Sequence, residues 1–171
     1  MKNLFVVDAE TDGLYGAVWA IGTVVLREDG SELDRFAGQV DPSDLTDSWV
    51  RENVAAHISL PRFATRQELR DAFWAFWMRH RESAMCVADV GSPVESGLFR
   101  TCVADDPASR MWNGPYPLHE VATALLCAGV DPDVDRIAFT ELTGLVKHNP
   151  VDDSLASGHS WLKAMKLIKT A

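Results

Sequence analysis

The sequence predicts an α/β domain whose sheet opens with three antiparallel strands, and three observations predict it. Residues 3–9, NLFVVDA, are an almost unbroken apolar run of strand length. AVWAIGTVVLRE (17–28) and SELDRFAGQV (31–40) read as two more strands, joined across Asp29-Gly30, a dipeptide suited to a tight hairpin turn. Beyond residue 45 the apolar spacing changes from alternation to a helical period.

The later elements follow in order. LTDSWVRENVAAHI (45–58) spaces Trp49, Val50, Val54 and Ile58 as a helix does. TRQELRDAFWAFWMRHRE (65–82) starts with Thr65 and Glu68 in capping-box spacing and predicts a helix of about four to five turns. Its Phe73, Trp74, Phe76 and Trp77 read as core side chains, with a base-stacking platform as the alternative. AMCVAD (84–89) is a short fourth strand that ends in a carboxylate, and NGP (113–115) is a turn. PLHEVATALLCAG (117–129) predicts a helix opened by Pro117 and closed by Gly129. DPDVD (131–135) is a loop, and a last helix starts near Asp153 with Leu155, Leu162 and Leu167. No repeat or linker interrupts the chain, so residues 1–171 are expected to form a single domain.

Composition narrows the class. At 47% hydrophobic and 24% charged residues the chain matches a soluble globular protein. No apolar run approaches the roughly 18 residues a membrane span needs, and Lys2 runs straight into a strand without a signal-peptide cleavage pattern. A cytoplasmic location is expected. Cys86, Cys102 and Cys127 show no CxxC spacing and are expected to be buried free thiols in a reducing compartment. The net charge of −9 opposes a nonspecific grip on nucleic acid, which depends on neutralising phosphates. Five arginines lie within residues 62–81, and Lys163, Lys166 and Lys169 lie in the tail; solvated helix faces account for both groups.

The carboxylates are less ordinary. Asp8 and Glu10 sit one residue apart at the end of a strand, hence on the same face, and repel each other unless a cation lies between them. Asp89 ends another strand, and Asp152-Asp153 open a helix. Oxygen donors of this kind suit Mg²⁺ or Mn²⁺, whereas zinc favours His and Cys. A pair of such ions can clamp the attacking and leaving oxygens of a phosphoryl displacement. His148 stands five residues before Asp153, and an imidazole can accept a proton from water near neutral pH.

DAETDGL, VADVG and HNPVDD resemble the three signature motifs of the DEDDh 3′→5′ exonuclease family, DnaQ-like and RNase T-like proteins with a ribonuclease H-like fold. The resemblance implies a central mixed five-stranded sheet, its first three strands antiparallel, flanked by helices, and one exonuclease domain spanning residues 1–171. It implies two Mg²⁺ or Mn²⁺ ions held by Asp8, Glu10, Asp89 and Asp153, with His148 as general base. Asp153 is chosen over Asp152 by the family spacing from the histidine, which leaves Asp152 solvated. Glu10, Thr11, Gly13, Leu14 and His148 would border the terminal nucleotide, and Asp12 would be a turn residue. His57, His80, His119 and His159 match no motif.

The implied activity is hydrolysis of single-stranded nucleic acid from a free 3′ end to nucleoside 5′-monophosphates. RNA or short oligonucleotides are the expected substrates, so an exoribonuclease is favoured over an exodeoxyribonuclease. The alternatives are a catalytically degenerate nucleic-acid-binding module of the same fold and a two-metal hydrolase of small phosphodiesters. Several family members are homodimers, and a homodimer is expected here on that ground alone. No membrane partner is expected.

Overall fold

The computed structural model describes residues 2–170. Strand β1 (Asn3–Thr11) pairs antiparallel with β2 (Val18–Leu26), which pairs antiparallel with β3 (Glu32–Gln39). Strands β4 (Ala84–Ala88) and β5 (Leu118–Glu120) extend the sheet in parallel from β1, giving five strands in the order β3-β2-β1-β4-β5. This is the expected mixed sheet with an antiparallel opening. The turn between β2 and β3 uses Gly30 at φ +88°, and Asp29 Oδ1 accepts from the Ser31 amide at 2.8 Å.

Helices cover both faces. Helix α1 (Ser48–Asn53) is shorter than expected and gives way to a 3₁₀ turn at Ala55–His57. Helix α2 (Arg66–His80) is capped as its sequence dictates: Glu68 N–H donates to Thr65 Oγ1 at 3.1 Å. Phe73, Trp74, Phe76 and Trp77 are buried, so the aromatic run is core and not a stacking platform. Helix α3 (Val94–Asp105) joins α2 over Phe5, Val7, Ile21 and Val25 of the sheet. After α4 (Pro107–Arg110) and β5 come α5 (Val121–Cys127), α6 (Arg136–Thr140) and α7 (Pro150–Thr170). Helices α5 and α7 cover the other face through Leu4, Val6, Val24 and Leu26.

Several expectations need correction. The segment expected to open a helix at Pro117 first makes β5, because Leu118–Glu120 find a parallel partner in Cys86–Ala88. Three residues are too few for a strand period to show, and the remote partner decides. The last helix starts at Pro150, not at Asp153. Cys86 and Cys102 are buried, but Cys127 ends α5 on its exposed side. The arginines of residues 62–81 are mostly engaged: Arg62 pairs with Asp41, Arg70 with Asp105, Arg79 with Asp34 and Arg81 with Glu82. Among the described residues no helix is long and apolar enough to cross a membrane.

Candidate active site

Alternation along β1 puts Leu4, Val6, Asp8 and Glu10 on one face. Leu4 and Val6 pack in the core layer beneath α7, so the strand brings both carboxylates out on the α7 side. They emerge near the end of the strand, where the ladder with β2 becomes irregular between Glu10 and Thr11.

The start of α7 is built to meet them. Asn149 Oδ1 accepts from the Val151 amide at 3.1 Å, and Pro150 fills the first helical position, where no N–H is needed. Opposite Asp8 in the β1–β2 ladder stands Gly22. A Cβ on Gly22 would lie 2.1 Å from the Pro150 carbonyl carbon, so only glycine lets the helix come this close. Ser154 Oγ then donates to the Gly22 carbonyl at 3.1 Å. This contact seats Asp153, one residue earlier, beside β1. One ligand atom each of Glu10, His148 and Asp153 lie within 4.8 Å of one another.

His148 is exposed and has φ +63°, a left-handed conformation that costs a non-glycine residue energy and persists only when its surroundings impose it. The imposition is visible. Its ring meets the exposed Trp49 of α1 edge-on, with centroids 5.9 Å apart. Lys147 is ion-paired with Asp135, and Asp152 Oδ2 accepts from the Val146 amide at 2.9 Å. Asp152, expected to be merely solvated, therefore fastens the loop that carries His148.

The carboxylate the sequence reading missed is Glu95. It lies in the first turn of α3, only 5% exposed, on the face it shares with the buried Leu98, Phe99 and Cys102. That pattern was available: Glu95 falls at helical spacing with three apolar residues, where a carboxylate is expensive to bury. Desolvation is the main force on Asp8, Glu10, Glu95 and Asp153. Asp8 is pushed well above the usual carboxylate range by desolvation, then by Glu95, Glu10, Asp153 and Asp89. Glu10 rises to about 8, through burial and then Asp153 and Glu95. Glu95 rises to about 7 through burial, with backbone amides of Glu95 and Ala9 pulling the other way. Asp153 rises to about 6, again chiefly by burial.

Asp89 is placed differently. Arg136 Nε donates to its Oδ1 at 2.7 Å, and the same guanidinium is held by the carbonyls of Pro132 and Val134. Asp89 thus has a cationic partner, whereas among the described residues no Lys or Arg forms an ion pair with Asp8, Glu10 or Glu95. Glu120 at the end of β5 accepts from the Gly91 amide at 2.9 Å and fixes the loop between Asp89 and Glu95.

Thr11 ends β1, and Gly13 and Leu14 lie in the turn that follows it. Gly13 has φ +76°, and Leu14 is 61% exposed on the rim of the cleft. Asp12 accepts from the Thr46 amide at 2.9 Å and the Asp47 amide at 2.8 Å, which hold its carboxyl below the usual range. It is a turn residue, as expected, and it ties this turn to the segment leading into α1.

The cleft between these elements opens on two sides, 440 Å³ toward Arg136 and 310 Å³ toward Leu14, and Asp8, Asp89, His148 and Asp153 line both. Its donors are carboxylate oxygens and one imidazole. Carboxylates drawn together in this way, with Asp8, Glu10 and Glu95 in no Lys or Arg ion pair among the described residues, suit a hard divalent cation.

No family model matches the chain, and no curated protein matches it in sequence. Among solved structures it is similar to Exonuclease X in complex with 5′ overhanging duplex DNA, at a TM-score of 0.58 and 16% identity. The alignment covers 95% of this chain and 91% of that one. The likeness shows the fold. The chain has the ribonuclease H-like architecture, an α/β sheet of mixed order flanked by helices.

Proposed function

We propose that this protein is a divalent-metal-dependent 3′→5′ exonuclease that releases nucleoside 5′-monophosphates from single strands. The observation that carries this reading is the convergence on one cleft of the half-buried Asp8, Glu10 and Asp153 and the buried Glu95, none in an ion pair among the described residues, beside an exposed histidine in a forced backbone conformation. The ribonuclease H-like fold shared with an exonuclease supports it. In this reading Asp8, Glu10 and Asp153 would hold Mg²⁺ or Mn²⁺, two ions per site. Asp89, the expected fourth ligand, lines the same cleft but is paired with Arg136, and Glu95 would supply the fourth carboxylate. Bound ions would neutralise the carboxylates and polarise the scissile phosphate.

The side chains do the rest. His148, held by Trp49 and by its loop, takes the proton of the attacking water. Thr11, Gly13 and Leu14 border the terminal nucleotide, with Leu14 offering an apolar edge to its base. RNA or a short oligonucleotide is the substrate favoured; DNA is the second reading, suggested by the DNA bound to Exonuclease X. A homodimer remains an expectation carried by the resemblance, and a cytoplasmic location one carried by composition.

The test is direct. A single-stranded oligonucleotide labelled at its 5′ end should give a ladder shortening from the 3′ end in Mg²⁺ or Mn²⁺ and remain intact in EDTA. RNA and DNA of one sequence, run side by side, decide between the two substrates. Full turnover in chelator would overturn the metal reading, and cleavage of a circular substrate would point to an endonuclease.

A further inference from the structure

We infer that the groove between the β1–β2 turn and α3 binds the nucleotides next to the one being removed, taking a base on Tyr15 and a backbone phosphate on Arg100. This rests on the reading of the carboxylate cleft as the cutting site and extends it along the strand. The groove has a volume of 230 Å³ and is continuous with the cleft, since Leu14, Pro93 and Val94 line both. A strand whose 3′ end lies at Asp8 and whose last base meets Leu14 therefore has this groove as its adjoining path.

Its chemistry changes abruptly from that of the cleft. The cleft on this side is lined by Asp8, Glu10, Asp89, Glu95 and Asp153. The groove is lined by two arginines, Arg70 and Arg100, and by no carboxylate, in a chain with a net charge of −9. Arg70 is committed to Asp105 through bonds of 2.6 and 3.0 Å. Arg100 is exposed and makes no ion pair among the described residues. Gly97 and Arg100 are three residues apart on α3 and so share a face. A Cβ at Gly97 would meet nothing within 4 Å, which leaves the helix surface before Arg100 bare. Across from it Tyr15 is 85% exposed, a large ring left in water at the rim.

An aromatic face beside a free guanidinium is the combination that holds single strands without regard to sequence: the ring stacks a base and the guanidinium meets a phosphate. The acidic cleft repels a polyanion, so a cationic groove next to it is where the strand can gain affinity. The occupant is thus a single-stranded oligonucleotide of three or more residues, and a dinucleotide is too short to reach Arg100.

Single-stranded oligonucleotides of two to eight residues should be compared on the wild type, Arg100→Glu, Tyr15→Ala and Lys169→Glu. The last makes the same charge change on an exposed lysine near the end of α7. For the octamer, Arg100→Glu should lower kcat/KM about tenfold or more through KM, while the loss on the dinucleotide stays within about twofold. The slope of log K against log salt should flatten by about 0.7, one phosphate contact. Tyr15→Ala should weaken octamer binding about fivefold or more without changing that slope. Lys169→Glu should match the wild type. Equal activity of Arg100→Glu and wild type at every length, or an equal loss at every length, overturns the groove. Anisotropy of a fluorescent octamer in Ca²⁺ separates this from the nuclease reading. Binding that Arg100→Glu loses, in a protein that cuts nothing in Mg²⁺ or Mn²⁺, keeps the groove and refutes the exonuclease. Absence of binding by the wild type refutes the groove.

Discussion

At the scale of single residues, the proposed function gives three neighbours in one loop and helix start distinct roles. The proposed mechanism has His148 accept a proton, so His148→Ala should lose about 10²–10⁴-fold in single-turnover rate while Mn²⁺ affinity holds. Asp153→Ala removes a carboxylate facing Glu10 and should lose activity and Mn²⁺ binding together. Asp152→Ala leaves the Val146 amide without its acceptor, so it should weaken the hold on His148 and slow turnover several-fold with metal binding intact. Rates measured beside Mn²⁺ titrations separate the three; a dead Asp152→Ala beside a healthy Asp153→Ala reverses their roles. The same comparison settles the fourth carboxylate. Glu95→Gln should abolish Mn²⁺ binding and activity. Asp89→Asn should lose less, because its partner Arg136 keeps two carbonyl contacts. The opposite ranking would return Asp89 to the metal.

At the scale of elements, the site depends on how closely α7 approaches β2. Gly22→Ala would force a methyl against the Pro150 backbone, where neither partner is a flexible side chain. The helix must shift or the strand bend, at a cost of about 1–3 kcal/mol. The expected outcome is a lowered melting temperature and, at a temperature where the fold persists, weaker Mn²⁺ binding because Asp153 moves with the helix. A Gly22→Ala protein with wild-type stability and metal affinity would show that the contact does not place the site. The elements also show what a sequence can reveal. Strands β1 to β3 and helix α2 were legible because each carries its own period, its own turn or its own cap. That Asp8, Glu10, Asp89, His148 and Asp153 share one cleft was legible because motif spacing singles them out as a set. Strand β5 was not, since three residues hold no period and their partner lies thirty-odd positions away. Glu95 matches none of the three motifs, although the apolar period of α3 marks it as a buried acid. Arg136 was out of reach, since an ion pair spanning 47 positions leaves no local trace.

Across the whole molecule, the cluster makes folding compete with charge. Glu10 at about 8, Glu95 at about 7 and Asp153 at about 6, with Asp8 raised as well, all hold protons more tightly in the folded protein than in the unfolded chain. Between about pH 4, where free carboxylates titrate, and pH 8 the folded state therefore binds more protons, and stability falls as pH rises. The part of the stability linked to these protons is complete below the unfolded values and is lost as pH climbs through 6 to 8. Metal-free protein should accordingly melt at a higher temperature at pH 5.5 than at pH 8.5. Mg²⁺ or Mn²⁺ binds the deprotonated cluster, so its stabilisation follows ligand linkage and should be largest at the alkaline end. Saturating metal should flatten the pH profile or reverse its slope. Calorimetric melts across this range, in EDTA and in millimolar Mn²⁺, give the comparison. Parallel profiles with and without metal would mean that the ions do not reach these carboxylates. A metal-free melting temperature rising steadily from pH 5.5 to 8.5 would mean that the acids are already ionised and paired in the fold.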